Sequence, residues 1–232
     1  MLWAYEELGW GGYWAWDPVE NAGLIPWFTA TALLHSMMAQ ERRGMLKAWT
    51  VALAIISFVL TIFGTFITRS GLIDSVHAFA KSNIGWYFLA FMFLVLAASA
   101  ALMIKRRHLL AGDNEQGALF SREYFFMVYN WLLLIASLLV ILMTLWPTLT
   151  ALFGDKQVLR PEVFNRWMTP VGLALLLLTG VGPQLNWRKT PMATLRRKLA
   201  LPLSAAVITG VALYLSGFTH GWALTTLILV AL

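Results

Sequence analysis

Seven apolar runs divide the chain. They lie near 22–39, 48–67, 84–104, 124–146, 167–186 and 199–217, and a seventh begins near 221 and is still apolar at Leu232. A helix that crosses a bilayer needs roughly 20 mostly apolar residues. Lipid offers no partner to backbone N–H and C=O groups, so runs of this kind must close their hydrogen bonds internally, as helices. The pattern therefore predicts an all-α integral membrane protein: a bundle of six complete transmembrane helices plus a truncated seventh, built as a single membrane domain over 1–232. Within it, residues 1–21 form an aromatic segment, 22–104 the first three spans, 105–123 a polar loop, and 124–232 the later spans.

The polar positions between the runs supply an orientation. Arg42, Arg43 and Lys47 lie in the first interval; Lys105, Arg106, Arg107 and Arg122 in the third; Arg188, Lys189, Arg196, Arg197 and Lys198 in the fifth. Only Arg69, Lys81, Lys156, Arg160 and Arg166 fall in the intervening ones. Loops rich in Lys and Arg stay in the cytoplasm. Residues 1–21, 68–83, 147–166 and 218–221 are thus expected on the outer face, the periplasm of a Gram-negative cell. Trp86, Trp146, Trp167 and Trp222 then fall at outer helix ends and Trp49 and Trp187 at inner ones, as interfacial anchors do.

Composition narrows the chemistry. Hydrophobic residues make up 59% of the chain and charged residues 12%, against about 25% charged in soluble domains. The net charge of +6 is explained by the loops and does not point to nucleic acid. The absence of cysteine excludes thiol catalysis, disulfides and thiolate metal sites. No charged N-terminal region followed by an apolar core marks a signal peptide. Residues 147–166, with Pro147, Gly154 and Pro161, are expected to form an ordered outer loop, with or without a short interfacial helix.

The densest aromatic cluster is Trp10-Gly11-Gly12-Tyr13-Trp14-Ala15-Trp16-Asp17-Pro18-Val19-Glu20-Asn21, with Trp3 and Tyr5 before it and Pro26-Trp27 after it. It exceeds what an aromatic belt needs. Flat rings at this density suit a planar macrocycle, and Gly11 and Gly12 permit close backbone approach; an amphipathic helix lying in the interface is the competing reading. Asp17 before Pro18 can initiate a turn or cap the helix that follows, and Asp17, Glu20 and Asn21 can bond to neighbouring loops.

The string Trp10 to Asp17 resembles the WWD signature of the haem-handling proteins of cytochrome c maturation, which is shared by the CcmC, CcsA and CcmF branches. The continuation Asp17-Pro18-Val19-Glu20-Asn21-Ala22 with Pro26-Trp27 resembles the CcmF branch. So do Gly64-Thr65-Phe66-Ile67-Thr68-Arg69-Ser70-Gly71, Ser75-Val76-His77-Ala78-Phe79 and Gly180-Val181-Gly182-Pro183. The likeness implies a cytochrome c haem lyase subunit. On this reading a CcmE-like haem chaperone delivers haem at the outer face, and the Trp segment (Trp10, Gly11, Gly12, Trp14, Trp16, Asp17) holds it while apocytochrome c receives it through thioether bonds. CcmH- or CcmI-like thiol-reducing or chaperone subunits are further implied partners, and a quinol is an implied electron donor. No individual catalytic residue is assigned.

Four histidines occur. His35 lies within the first span, about 20 Å below the outer surface at ~1.5 Å per residue from Ala22, on a face with Thr31 and Met38 or Ala39. An ionisable group at that depth faces a bundle interior or a cofactor, so residue chemistry leaves an axial iron ligand and an interhelical hydrogen bond open. The resemblance implies the first: a ligand of a membrane-embedded haem b. His77 is by default a solvated loop residue; the resemblance implies a ligand of the transient, delivered haem. His108 follows Lys105-Arg106-Arg107 and reads as a solvated helix end. His220 matches no ligand. Arg69 is either an interfacial arginine or a partner for a haem propionate, and Thr61, Thr65, Thr68 and Asn130 read as helix-packing positions.

Two rivals stand beside this reading. One is a haem transporter or chaperone-loading protein of the CcmC/CcsA type, opposed by the residues after Asp17. The other is a non-haem multi-span transporter, opposed by spans that carry almost no carboxylate or lysine. The second ligand of each implied haem would come from outside 1–232, so the chain reads as truncated at both ends. Residues 1–232 expressed alone are therefore expected to hold no stable bis-histidine haem. A six-coordinate low-spin absorbance spectrum that survives His35→Ala would overturn both the truncation and the ligand assignment.

Overall fold

The computed structural model describes residues 6, 14–71, 84–112, 118–218 and 221–230. Each apolar run coincides with a helix: α1 (Pro18–Arg43), α2 (Lys47–Arg69), α3 (Gly85–Lys105), α4 (Arg122–Ala151), α5 (Pro161–Val181), α6 (Met192–Leu215) and α7 (Gly221–Val230). Among the described residues there is no strand. Four of these helices, α2, α3, α4 and α6, are long and apolar enough to cross a membrane, so this is an all-helical, multi-pass membrane protein. At 26 residues, α1 reaches about 39 Å but carries more polar residues than the four, because its position is central.

α1 packs along α2 on one side and α4 on the other. Its buried residues Asn21, Ala22, Ile25, Phe28, Thr29, Ala32, Ser36 and Ala39 recur every three or four positions and form one stripe. Ile25, Phe28 and Ala32 meet Leu53 of α2, Leu133, Ala136, Val140 and Met143 of α4, and Phe164 and Met168 of α5. Gly64 of α2 sits where an added Cβ would stand 2.7 Å from the Ala22 carbonyl oxygen, so the α1–α2 approach requires glycine there. Small and polar residues at a helix contact are how membrane helices associate, since lipid is as apolar as leucine and burial of leucine gains little.

α3 is apolar on all sides and buries only Gly85 and Met92, the latter beside Phe66 and Ile67 of α2. Its remaining surface suits a hydrocarbon solvent. α5, α6 and α7 form a second group, with Gly210 of α6 closely approached by Ile228 of α7.

The ends of the helices depart from the sequence expectation in two places. The loop expected over 147–166 is much shorter, because α4 runs on through Pro147 to Ala151 and α5 starts at Pro161. A proline inside a helix removes one N–H donor, here the one for the Met143 carbonyl, and the helix continues across it; the Thr150 hydroxyl donates to the Trp146 and Pro147 carbonyls at 3.0 and 3.2 Å, and Pro161 occupies the helix start, where no donor is needed. The basic interval 186–198 also contracts, since α6 begins at Met192 and takes Arg196, Arg197 and Lys198 into its first turns.

Intervals predicted to share a face do meet. At the basic end, the Glu123 carboxylate is 2% exposed. It lies 3.1 Å from Arg43 Nε at the end of α1, an ion pair without the geometry of a straight hydrogen bond. It also accepts the Arg188 backbone N–H at 2.8 and 2.9 Å. Backbone bonds from Ala118 to Arg188, Arg122 to Asn186 and Thr190 to Phe120 complete this junction. Removing one member of a buried ion pair strands the other, so Glu123→Ala is expected to destabilise the fold by about 3–5 kcal/mol. Thermal denaturation in detergent measures this, and an unchanged midpoint would show that the junction is not structural.

Candidate functional site

His35 occupies the solvent- or lipid-accessible edge of the α1–α4 contact. Its ring stacks on Phe126 with centroids 5.1 Å apart and planes at 12°, and meets Tyr129 edge-on at 4.6 Å. These two rings fix the imidazole's plane. Nδ1 is enclosed and has no hydrogen-bond partner. Beside it opens a cleft of about 270 Å³, lined by His35, Met38, Phe125, Tyr129, Arg122 and Pro183 among others. Met38 shares the cleft, as the helical spacing predicts, and the cleft lies toward the basic end. Its walls are mostly apolar, and Arg122 is the cation in it.

An imidazole held between two aromatic rings beside an apolar cleft is suited to bind a flat, metal-containing ligand through one nitrogen. A haem fits these residues on two observations: the orphaned Nδ1, which a ligating histidine would use to hold its orientation, and the flat aromatic wall. The cleft lies just below the ~300–1,000 Å³ of small-molecule sites, enough for the edge of a macrocycle.

The second group lies at the opposite end of α1. Asp17 is the N-cap: its carboxylate accepts the Val19 N–H at 2.9 Å, and Glu20 Oε2 accepts the N–H groups of Ala15 at 3.0 Å and Asp17 at 3.2 Å. This is a capping box with Pro18 opening the helix. Trp16, at φ 57°, is held in the left-handed region that bulky residues avoid. Three contacts over-determine it. Its Nε1 donates to Asn165 Oδ1 at 2.8 Å, its ring stacks on Phe164 at 5.2 Å and 19°, and its carbonyl accepts from Asn21 Nδ2 at 3.0 Å. Trp14 meets Trp16 edge-on at 5.8 Å, and Trp14 Nε1 is enclosed without a partner. Strain held in place by its surroundings is characteristic of sites that must present a fixed shape. A cleft of about 230 Å³ adjoins this point, lined by Trp16, Asn21, Thr144, Lys156 and Phe164 among others.

Trp10, Gly11, Gly12, His77 and His220 lie outside the described residues. Arg69 is the exposed last residue of α2. His108 is exposed on a short 3₁₀ turn. The hydroxyls of Thr61, Thr65 and Thr68 donate to carbonyls of their own helix, those of Ser57, Thr61 and Thr65, which accounts for that stripe without a ligand.

Arg122 and Glu123 had no distinguishing signal in the sequence, where they read as ordinary loop charges. Arg122 Nε and Nη2 donate to the Leu185 and Pro183 carbonyls at 3.1 and 2.7 Å, and its guanidinium lies 5.6 Å from the Trp187 ring. It thereby organises the turn that follows α5 at Gly182–Gln184, whose Gly182 and Pro183 form one wall of the His35 cleft. The only hint was its place immediately before an apolar run.

With this geometry in view, the comparisons with known proteins are consistent with one another. The family described as Cytochrome C assembly protein matches residues 1–73. The "Cytochrome c-type biogenesis protein CcmF" of Pseudomonas aeruginosa is 41% identical over 99% of this chain and 35% of its own length. The protein of the same description from Escherichia coli is 42% identical over 89% of this chain and 32% of its own. A solved structure titled "Cytochrome c Heme Lyase CcmF" superposes with a TM-score of 0.75 at 34% identity, covering 98% of this chain and 34% of that one. The chain thus spans about a third of the length of the curated relatives it matches.

The capping role of Asp17 separates structure from ligand binding. Asparagine caps as well as aspartate, whereas alanine costs about 1 kcal/mol. Asp17→Ala is therefore expected to lower the thermal midpoint and Asp17→Asn to leave it unchanged. Equal loss in both variants would mean that the carboxylate charge, not the cap, is what matters.

Proposed function

Because this chain belongs to the CcmF family of cytochrome c-type biogenesis proteins, we propose that it forms part of a haem lyase that attaches haem to apocytochrome c at the outer face of the bacterial inner membrane. The observation that carries the reading is His35: an imidazole fixed between Phe126 and Tyr129 beside an apolar cleft. In this proposal His35 is an axial ligand of a haem b held within the membrane, and Arg122 is placed to meet a propionate with the donors that Leu185 and Pro183 leave free. The bound haem would supply one-electron chemistry, with a quinol as donor.

The Trp segment is the second site. Trp14 and Trp16, fixed on α5 through Phe164 and Asn165, offer faces against which a delivered macrocycle stacks, together with Trp10, Gly11 and Gly12. His77 ligates the delivered iron and Arg69 pairs with a propionate. The chain's residues orient the vinyl groups, and each cysteine S–H of the incoming apocytochrome adds across one vinyl. Holding both reactants in register is the main contribution a protein makes to such a step. The partners on this reading are a CcmE-like haem chaperone, apocytochrome c and CcmH- or CcmI-like subunits. The topology is six spans and the start of a seventh, with the Trp segment periplasmic. Both α1 and α5 would then span as members of the bundle interior, where their polar residues are paired.

The deciding experiment is an absorbance spectrum of the full-length protein and its variants. His35→Ala is expected to remove the stable b-type haem and leave capture of chaperone-delivered haem intact. His77→Ala is expected to do the reverse. Retention of both haems in both variants would overturn the assignment.

A further inference from the structure

Ser36 determines which way the buried Asn130 amide points. The Ser36 hydroxyl donates its single proton to the Ala32 carbonyl at 3.0 Å, so towards Asn130, 2.8 Å away, it can only accept. The atom facing it must be Nδ2, and Oδ1 is turned elsewhere. Asn130 is 1% exposed, and Oδ1 is enclosed without a partner. His35 is one residue before Ser36 on α1, its Nδ1 is likewise enclosed without a partner, and its ring meets Tyr129, the residue before Asn130 on α4, edge-on at 4.6 Å. One orphan is an acceptor, the other a nitrogen that carries a proton in one imidazole tautomer. Leaving both unpaired would cost each its desolvation without a compensating bond.

We infer that Asn130 is a positioning residue for His35: its Oδ1 accepts the Nδ1 proton, which fixes the imidazole plane and selects the tautomer whose Nε2 lone pair faces the cleft. The chain Ala32–Ser36–Asn130–His35 sets this orientation from the backbone of α1 outward, across α4 and back. The functional consequence rests on the reading of His35 as a haem ligand. An acceptor on Nδ1–H makes Nε2 a stronger donor to iron, and a stronger donor favours the oxidised state. Asn130 thus tunes the reduction potential without touching the haem.

The test is a redox titration of the b-type haem in full-length protein, monitored by absorbance, for Asn130→Asp, Asn130→Leu and Ser36→Ala. Aspartate is the stronger acceptor and is expected to lower the midpoint potential; leucine accepts nothing and is expected to raise it. Ser36→Ala releases the amide and is expected to raise it by a smaller shift. A packing role for Asn130 would not move the potential in opposite directions. If a buried aspartate prevents folding, the other two variants decide: a rise in both supports the inference. Unchanged potentials in variants that keep their haem overturn it. His35→Ala in the same titration separates the two levels of the argument. Haem retained there sinks the ligand reading, whereas haem lost there with Asn130→Leu unchanged sinks only the role of Asn130.

Discussion

Along α1, buried polar side chains reach out to the neighbouring helices at three levels: Asn21 donates to Thr144 at 2.9 Å, Thr29 accepts from Ser57 at 2.9 Å, and Ser36 accepts from Asn130 at 2.8 Å. Between them the Ser137 hydroxyl donates to the Ile25 carbonyl at 3.3 Å. Each such bond contributes little in a membrane, about 0.6 kcal/mol on average and up to 1–2. The cost of breaking one is larger, because a buried group loses its partner and finds no water. A rotation or slide of α1 against α4 would break several at once. The ladder therefore fixes the register of α1 more than it stabilises the bundle, and the rest of the structure is placed by that register.

Two ends of the same helix follow from it. Asp17 caps α1 where Trp16 docks on α5, and His35 lies 18 residues further along, about 27 Å at the helical rise. At its far end Arg43 meets Glu123, which also holds the 186–190 turn. α1 thus separates the strained aromatic corner from the His35 cleft by a fixed distance, and both flanking junctions are tied to helices that the polar ladder has already aligned.

The outer helices obey a different constraint. α3 and α6 bury little, and no polar ladder crosses from them to α1. Their solvent is hydrocarbon, which rewards an apolar side chain in any orientation, so their rotation is set by few contacts: Gly85 and Met92 for α3, Gly210 for α6. The functional residues accordingly concentrate on α1, α4 and the ends of α5, where neighbours determine where each side chain points.

The sequence by itself determined the helices. A run of apolar residues long enough to exclude water leaves the backbone no alternative, and all seven runs are helical. It also made the cap at Asp17 and the packing of the Thr61–Thr68 stripe legible, because caps and back-bonded hydroxyls depend on residues a few positions away. The alternation of basic intervals correctly grouped Arg43, Arg122 and Arg188 at one end. The tertiary structure alone decided the rest. It extended α4 through Pro147 to Ala151. It buried Glu123, which its neighbours in sequence mark only as a loop charge. It gave Trp16 its left-handed backbone, which depends on Asn165 and Phe164 far along the chain. It also set His35 against Phe126, Tyr129 and Asn130. Glu123, Trp16 and His35 each depend on a partner at least 65 positions away, and periodicity along one helix carries no information about which residue of another helix it will face.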